Sequence, residues 1–170
     1  TNSYSIVGPH TSKMTVDSGT TWATSPKYGV MGFRLEFSDG FYGFPLSDNS
    51  IGSSTYGIYD DREHGAYFTT PASGQLVVAG AMANIRVVGS PGNGVKFRLY
   101  KGTELIDTSK EVLVTNIQST THVKAMFTAQ RKLDAATVYR LVAMHTGSAG
   151  DASNCYEVAF GTLHDSDDSR

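Results

Sequence analysis

Apolar and polar residues alternate over short stretches of this chain, and that period of two predicts strands. From Val30 to Phe37, Met31, Phe33, Leu35 and Phe37 fall on one face and Gly32, Arg34 and Glu36 on the other. This is the pattern of a half-buried antiparallel strand. Ser38-Asp39-Gly40 supplies turn chemistry, and Phe41 to Leu46 returns as the second arm of a hairpin, with Pro45 at its edge or end. From Ala66 onward the candidate strands are Ala66 to Thr70, Gln75 to Gly80, Ala83 to Val88, Val95 to Tyr100, Glu104 to Asp107, Val112 to Thr115, His122 to Phe127, Val138 to His145 and Cys155 to Gly161. Gly, Pro, Ser and Asn separate them. Good helix formers occur in His122 to Lys132, but Val123, Ala125 and Phe127 alternate and favour a strand there. Many short strands at this spacing predict an all-β fold, an antiparallel β-sandwich or jelly roll with Gly/Pro/Ser-rich turns.

Within this pattern LDAATVYRLVAM, from Leu133 to Met144, reads as a corner leading into a buried strand. Leu133, Ala135, Thr137 and Tyr139 are expected on one face, with Val138, Arg140, Val142 and Met144 on the other. A tyrosine placed after such a turn can bury its ring and return its hydroxyl to the backbone. Leu133, Thr137 and Tyr139 are therefore the expected structural corner.

The ends are more polar. Residues 1–19 hold two short extended candidates, Tyr4 to Val7 and Lys13 to Val16, and read either as an extended N-terminal arm or as edge strands. Residues 20–163 form the expected sandwich domain, and 164–170, HDSDDSR, an acidic tail. Ordering a polar segment costs about 1 to 2 kcal/mol per residue of backbone entropy. The arm or the tail is accordingly expected to be held by a neighbouring chain. Trp22 is expected to be a packing plug.

Ser47 to Gly65 has no sustained alternation, and a long loop in a small domain is often functional. Tyr56, Tyr59, Asp60, Asp61 and Arg62 are its candidate contacts to a glycan or a protein partner. Asp60 to His64 also contains carboxylates and an imidazole, but neighbours on an extended chain point in alternate directions, so a solvated turn is expected rather than a metal site. His145 and Cys155 lie near opposite ends of one hairpin loop and fall short of a zinc ligand set.

Composition narrows the function. Charged residues make up 18% of the 170 and the formal charge is -2, so the clustered basic surface of a nucleic-acid binder is not expected. The single Cys155 makes no internal disulfide, and no apolar run approaches a membrane span. TNSYSIV lacks leader character, which predicts synthesis without a signal peptide. No nucleophile elbow, HExxH or P-loop pattern occurs, so neither catalysis nor a cofactor is expected.

FTTPASGQLVVAG, GNGVKFRLYKGTELIDTS and LDAATVYRLVAM, read in that order, give the chain from about Tyr67 to Phe160 a pattern that resembles β-sandwich modules in virion proteins of tailed bacteriophages. The resemblance implies a non-enzymatic virion protein, a capsid decoration or head-fibre subunit that contacts other virion proteins, capsid or copies of itself, as a homo-oligomer. Similar phrases occur in carbohydrate-binding and adhesin-like sandwiches, which keeps a glycan-binding module as the alternative. A tail-associated adaptor is a further one.

Overall fold

The computed structural model describes residues 55–72, 76–117, 121–147 and 150–161, together with strand segments 2–5, 12–15, 23–24, 30–31, 33–37 and 40–43. In chain order the strands are β1 (Asn2–Ser5), β2 (Ser12–Thr15), β3 (Ala23–Thr24), β4 (Val30–Met31), β5 (Phe33–Phe37), β6 (Gly40–Gly43), β7 (Thr55–Ile58) and β8 (Glu63–Thr69). They continue as β9 (Leu76–Val88), β10 (Gly94–Lys101), β11 (Glu104–Thr108), β12 (Val112–Leu113), β13 (Thr121–Leu133), β14 (Val138–His145) and β15 (Cys155–Gly161). A single 3-10 turn covers Val114–Asn116 among the described residues. Trp22, residues 47–54 and the tail at 164–170 lie outside the described residues.

The protein is an all-β antiparallel sandwich. One sheet runs β1, β6, β5, β9, β15, β4, with β13 on β9 and β7 on β15. The other runs β11, β10, β14, β8, β2, β3, with β12 on β10. β1 lies parallel to β6 at the end of its sheet, and β2 lies antiparallel to β8 with β3 on its other side. Antiparallel β5 and β6 make the expected hairpin, with Phe37 opposite Gly40.

The period of two decides which side chains enter the core. Val95, Phe97 and Leu99 of β10 and Leu141 and Ala143 of β14 are fully buried from one sheet. Leu35, Val78, Ala83, Ile85 and Val158 meet them from the other. Each fully buried Leu, Ile, Val or Phe contributes roughly 1.5 to 3 kcal/mol relative to exposure, which is why alternation specifies this fold so firmly.

Three strand expectations need correction: Val112 to Thr115 ends as a strand at Leu113, because Val114–Asn116 turns into a 3-10 helix. Leu76 to Gly80 and Ala83 to Val88 are not separate strands but parts of β9, which runs unbroken through Gly80, and Gln75 lies outside the described residues. A Cβ at Gly80 would sit 2.8 Å from the Ala125 carbonyl oxygen, so this glycine admits the neighbouring backbone instead of making a turn. The strand expected at His122 to Phe127 also continues, to Leu133. Its register on β9 breaks between Met126 and Arg131, where residues 127–130 stand opposite Ala79 alone. That bulge swings β13 across the edge of the sandwich toward the other sheet, where Ser109 bridges Phe127 and the Lys110 N–H donates to the Met126 carbonyl at 2.8 Å.

Asp107 secures this crossing. Its carboxylate accepts from the Thr128 hydroxyl at 2.6 Å, Arg131 Nε at 2.7 Å and the Thr108 N–H at 2.7 Å. Burial alone would raise its pKa, but these hydrogen bonds outweigh burial and hold the carboxyl below its ordinary range.

At the opposite end of β13 the chain turns the corner into β14. Leu133 and Tyr139 are 1% and 2% exposed, and the Asp134 N–H donates to the Tyr139 hydroxyl at 2.9 Å. The Tyr139 ring stacks on Phe68 at 5.9 Å. Leu133, Ala135, Thr137 and Tyr139 do not form one strand face as expected, because Ala136 takes φ +49 and breaks the alternation. Thr70, which sequence reasoning passed over, locks the corner: its hydroxyl donates to the Asp134 carbonyl at 2.6 Å and accepts from the Thr137 N–H at 2.9 Å. Replacing Thr70 by Val keeps the shape and removes both bonds, with an expected loss of about 2 kcal/mol. Tyr139→Phe removes one bond and is expected to cost about 1 kcal/mol. Urea unfolding reads both, and equal midpoints for wild type and Thr70→Val would refute the assigned role.

Candidate functional site

Three connections meet at one end of the sandwich: β7 to β8, β9 to β10, and β14 to β15. The first is a tight turn in which the Arg62 N–H donates to the Tyr59 carbonyl at 2.9 Å. Asp60 adopts φ +51, a left-handed conformation that aspartate tolerates better than most residues. Nε2 of His145, at the end of β14, hydrogen-bonds to the Asp60 carbonyl and ties the first connection to the third.

The second and third connections are laced together by Asn154, whose Oδ1 accepts from the Ser90 N–H at 3.0 Å. Gly89 holds φ +64, and a Cβ there would lie 2.0 Å from the Ser153 carbonyl oxygen. Asp151 caps its own turn by accepting from the Ser153 N–H at 2.7 Å and the Asn154 N–H at 2.9 Å. The Ser153 and Asn154 hydrogen bonds hold its carboxyl below the ordinary range. The Tyr156 hydroxyl donates to the Asn93 carbonyl, and burial, with Glu111 adding to it, pushes its pKa up to about 12. Between these loops lies a cleft lined by Tyr59, Asn93, His145, Asn154, Cys155 and Tyr156, with room for about one water molecule. His145 and Cys155 thus share a cleft, and Cys155 is 2% exposed.

The candidate residues from the sequence divide here. Tyr59 and Arg62 come together, with the guanidinium 4.4 Å from the ring centroid. The ring also lies close to Gly57, where a Cβ would be 3.0 Å from its Cε1. Alternation sends Tyr56 to the opposite face, beside buried Ile58, and its ring stacks on His64 at 5.4 Å. Burial raises the Tyr56 pKa. Asp60 and Asp61 are exposed at the tip. The solvated turn expected over Asp60 to His64 ends early: Glu63 and His64 enter β8 and are 5% and 0% exposed. Pairing with β14 and β2 draws them in, overriding the tendency of charged groups to stay hydrated. Burial lowers the His64 pKa to about 3.

A second assembly lies on the outward face of the β10, β14, β8 sheet. Register places Arg140 directly between Tyr100 and Tyr67, and Leu105 opposite Tyr100. The guanidinium lies 4.4 Å from the Tyr100 centroid and 5.7 Å from that of Tyr67, and it donates to the Tyr67 hydroxyl at 3.2 Å. Val138, two residues before Arg140 and so on its face, is 52% exposed, and Leu105 is 48% exposed. Farther along, Arg98 pairs with Glu63 at 3.2 Å. Burial raises the Glu63 carboxyl pKa, opposed by Arg98 and Arg140. Sequence reasoning missed this row because its residues come from strands about forty and seventy positions apart. Arg98 and Tyr100, two positions apart in β10, were the available signal.

No family model matches the chain. No curated protein matches it either.

Proposed function

We propose that this chain is a non-enzymatic structural protein of a tailed-bacteriophage virion, a capsid decoration or head-fibre subunit acting through protein-protein contacts. One observation carries the reading: exposed Leu105 and Val138 flank a Tyr-Arg-Tyr row on a strand face. Tyr is enriched where protein interfaces bind most strongly, and Arg140, itself only 8% exposed, holds the Tyr67 and Tyr100 rings in place beside the exposed Leu105 and Val138. The phage-like pattern from Tyr67 to Phe160 covers the same strands. Capsid, or neighbouring copies of the chain, is the proposed partner.

The glycan-binding alternative needs a ring face open to a sugar. Arg62 stacks over the Tyr59 ring and Tyr56 stacks on His64, so the protein-contact reading is favoured. The test is incorporation. Mass spectrometry of purified virions is expected to detect the wild-type polypeptide and to find Leu105→Asp, Val138→Asp strongly depleted, while its thermal midpoint stays close to wild type because both sites are exposed. Absence of the wild-type chain from virions sinks the proposal. Undiminished incorporation of the double variant removes this face from it.

A further inference from the structure

The β9 to β10 connection ends in Asn93-Gly94, the only Asn-Gly pair in the chain. Packing demands the glycine: a Cβ at position 94 would lie 2.4 Å from the Val112 carbonyl oxygen and 2.7 Å from Glu111 Cγ. A glycine after asparagine leaves the following backbone nitrogen least shielded from the asparagine side chain. We infer that Asn93-Gly94 is a latent self-modification site, where the Gly94 nitrogen can close on the Asn93 side chain, and that the fold suppresses the reaction through Thr146 and Tyr156.

The chemistry needs only the chain and water. The Gly94 nitrogen loses its proton and bonds to Cγ of Asn93, the Cγ–Nδ2 bond breaks, and ammonia leaves carrying that proton. Water then opens the cyclic imide at either carbonyl, giving aspartate or isoaspartate.

Each atom this step must free is held in the folded protein. The Gly94 N–H donates to Thr146 Oγ1 at 3.0 Å, and the Thr146 N–H returns a bond to the Gly94 carbonyl at 2.9 Å. The Thr146 hydroxyl in turn donates to Glu111, so its lone pairs face Gly94. Tyr156 holds the Asn93 carbonyl. The Asn93 amide lies against Gly147, where a Cβ would be 2.6 Å from Cγ. Cyclisation therefore requires local opening of the β14 to β15 connection, and its rate reports that opening. The product adds a carboxylate at the end that already presents Asp60, Asp61 and Asp151, and isoaspartate lengthens the backbone where β10 begins its register with Val112 and His145.

The experiment follows position 93 in the full chain by peptide mass spectrometry with fragmentation that separates aspartate from isoaspartate, during incubation in mildly alkaline buffer below the unfolding temperature. Folded wild type and Thr146→Ser are expected to react slowly, and urea-unfolded chain fastest. Thr146→Ala is expected to react roughly five- to tenfold faster than folded wild type, the consequence of losing one hydrogen bond. Circular dichroism checks that each variant is folded. If Thr146→Ala does not fold, Tyr156→Phe serves instead, since it loosens the Asn93 backbone. A folded variant of either kind that reacts at the wild-type rate overturns the proposal, as does an unfolded chain that leaves Asn93 intact.

Discussion

The stability of this protein is expected to fall as pH drops from 6.5, and to do so because of His64. The ring is 0% exposed and stacked on Tyr56, on a strand whose neighbour places Ala143 opposite it. Burial disfavours the imidazolium and lowers the pKa to about 3. An unfolded histidine binds its proton near pH 6.5, so between these values the unfolded state holds a proton that the folded state lacks. Stability therefore rises with pH through this window. The contribution is complete above about 6.5 and is lost on acidification at roughly 1.4 kcal/mol per pH unit.

Between pH 6 and 4.5 the expected loss is about 2 kcal/mol, a large part of the 5 to 15 kcal/mol typical of a domain. Urea unfolding at several pH values measures it. His64→Phe retains a ring against Tyr56 and removes the proton, so its stability should be nearly flat over the same interval, whatever its absolute value. Parallel pH profiles for wild type and His64→Phe would exclude His64 as the cause.

The second large effect is expected at Asp107. Its side chain is 3% exposed and unites the Thr128 hydroxyl, the Arg131 guanidinium and two backbone N–H groups, with Ala129 the second at 3.4 Å. Asp107→Ala leaves buried donors unsatisfied and unfastens the β13 bulge from β11. Arg131 is 39% exposed and can regain water, so the expected cost is about 2 to 3 kcal/mol, below that of breaking a fully buried pair. Asp107→Asn, which keeps an acceptor oxygen, should fall between. Hydrogen exchange should show the greatest loss of protection in residues 126–131 and in β11. Unchanged protection there would mean that the strands are held without the carboxylate.

Its pH window is separate from that of His64. A carboxyl held below its usual range stabilises the fold above the unfolded pKa of about 3.9 and loses that contribution as pH falls through the lower folded value. Histidine therefore dominates mild acidification, and Asp107 contributes only in stronger acid. The exposed Lys101 and Asp134 pair, at 2.7 Å, involves side chains 44% and 63% exposed, and water screens it.

Strand positions were legible wherever one face is buried. Val95 to Tyr100, Val138 to His145 and Cys155 to Gly161 match their observed strands to within a residue, because alternation in a half-buried strand is a direct imprint of the core. Legibility failed where a residue has two uses. Gly80 read as a breaker, although its missing side chain accommodates β13. Glu63 and His64 read as a solvated turn because exposure is a property of the neighbouring strands, which a local pattern does not contain.

The site followed the same division. Tyr59 and Arg62 are close in the chain, and a single turn brings them together. Tyr56, only three residues earlier than Tyr59, faces the other way by the pleat of β7. The sequence alone determined the all-β class, since that rests on periods and turns spanning a few residues. Tertiary structure alone decided the Tyr100, Arg140, Tyr67 row, the hold of Thr146 on Gly94 and the burial of His64. Each depends on the register between strands distant in the chain, and that register is settled by the packing of the whole core rather than by any local run of residues.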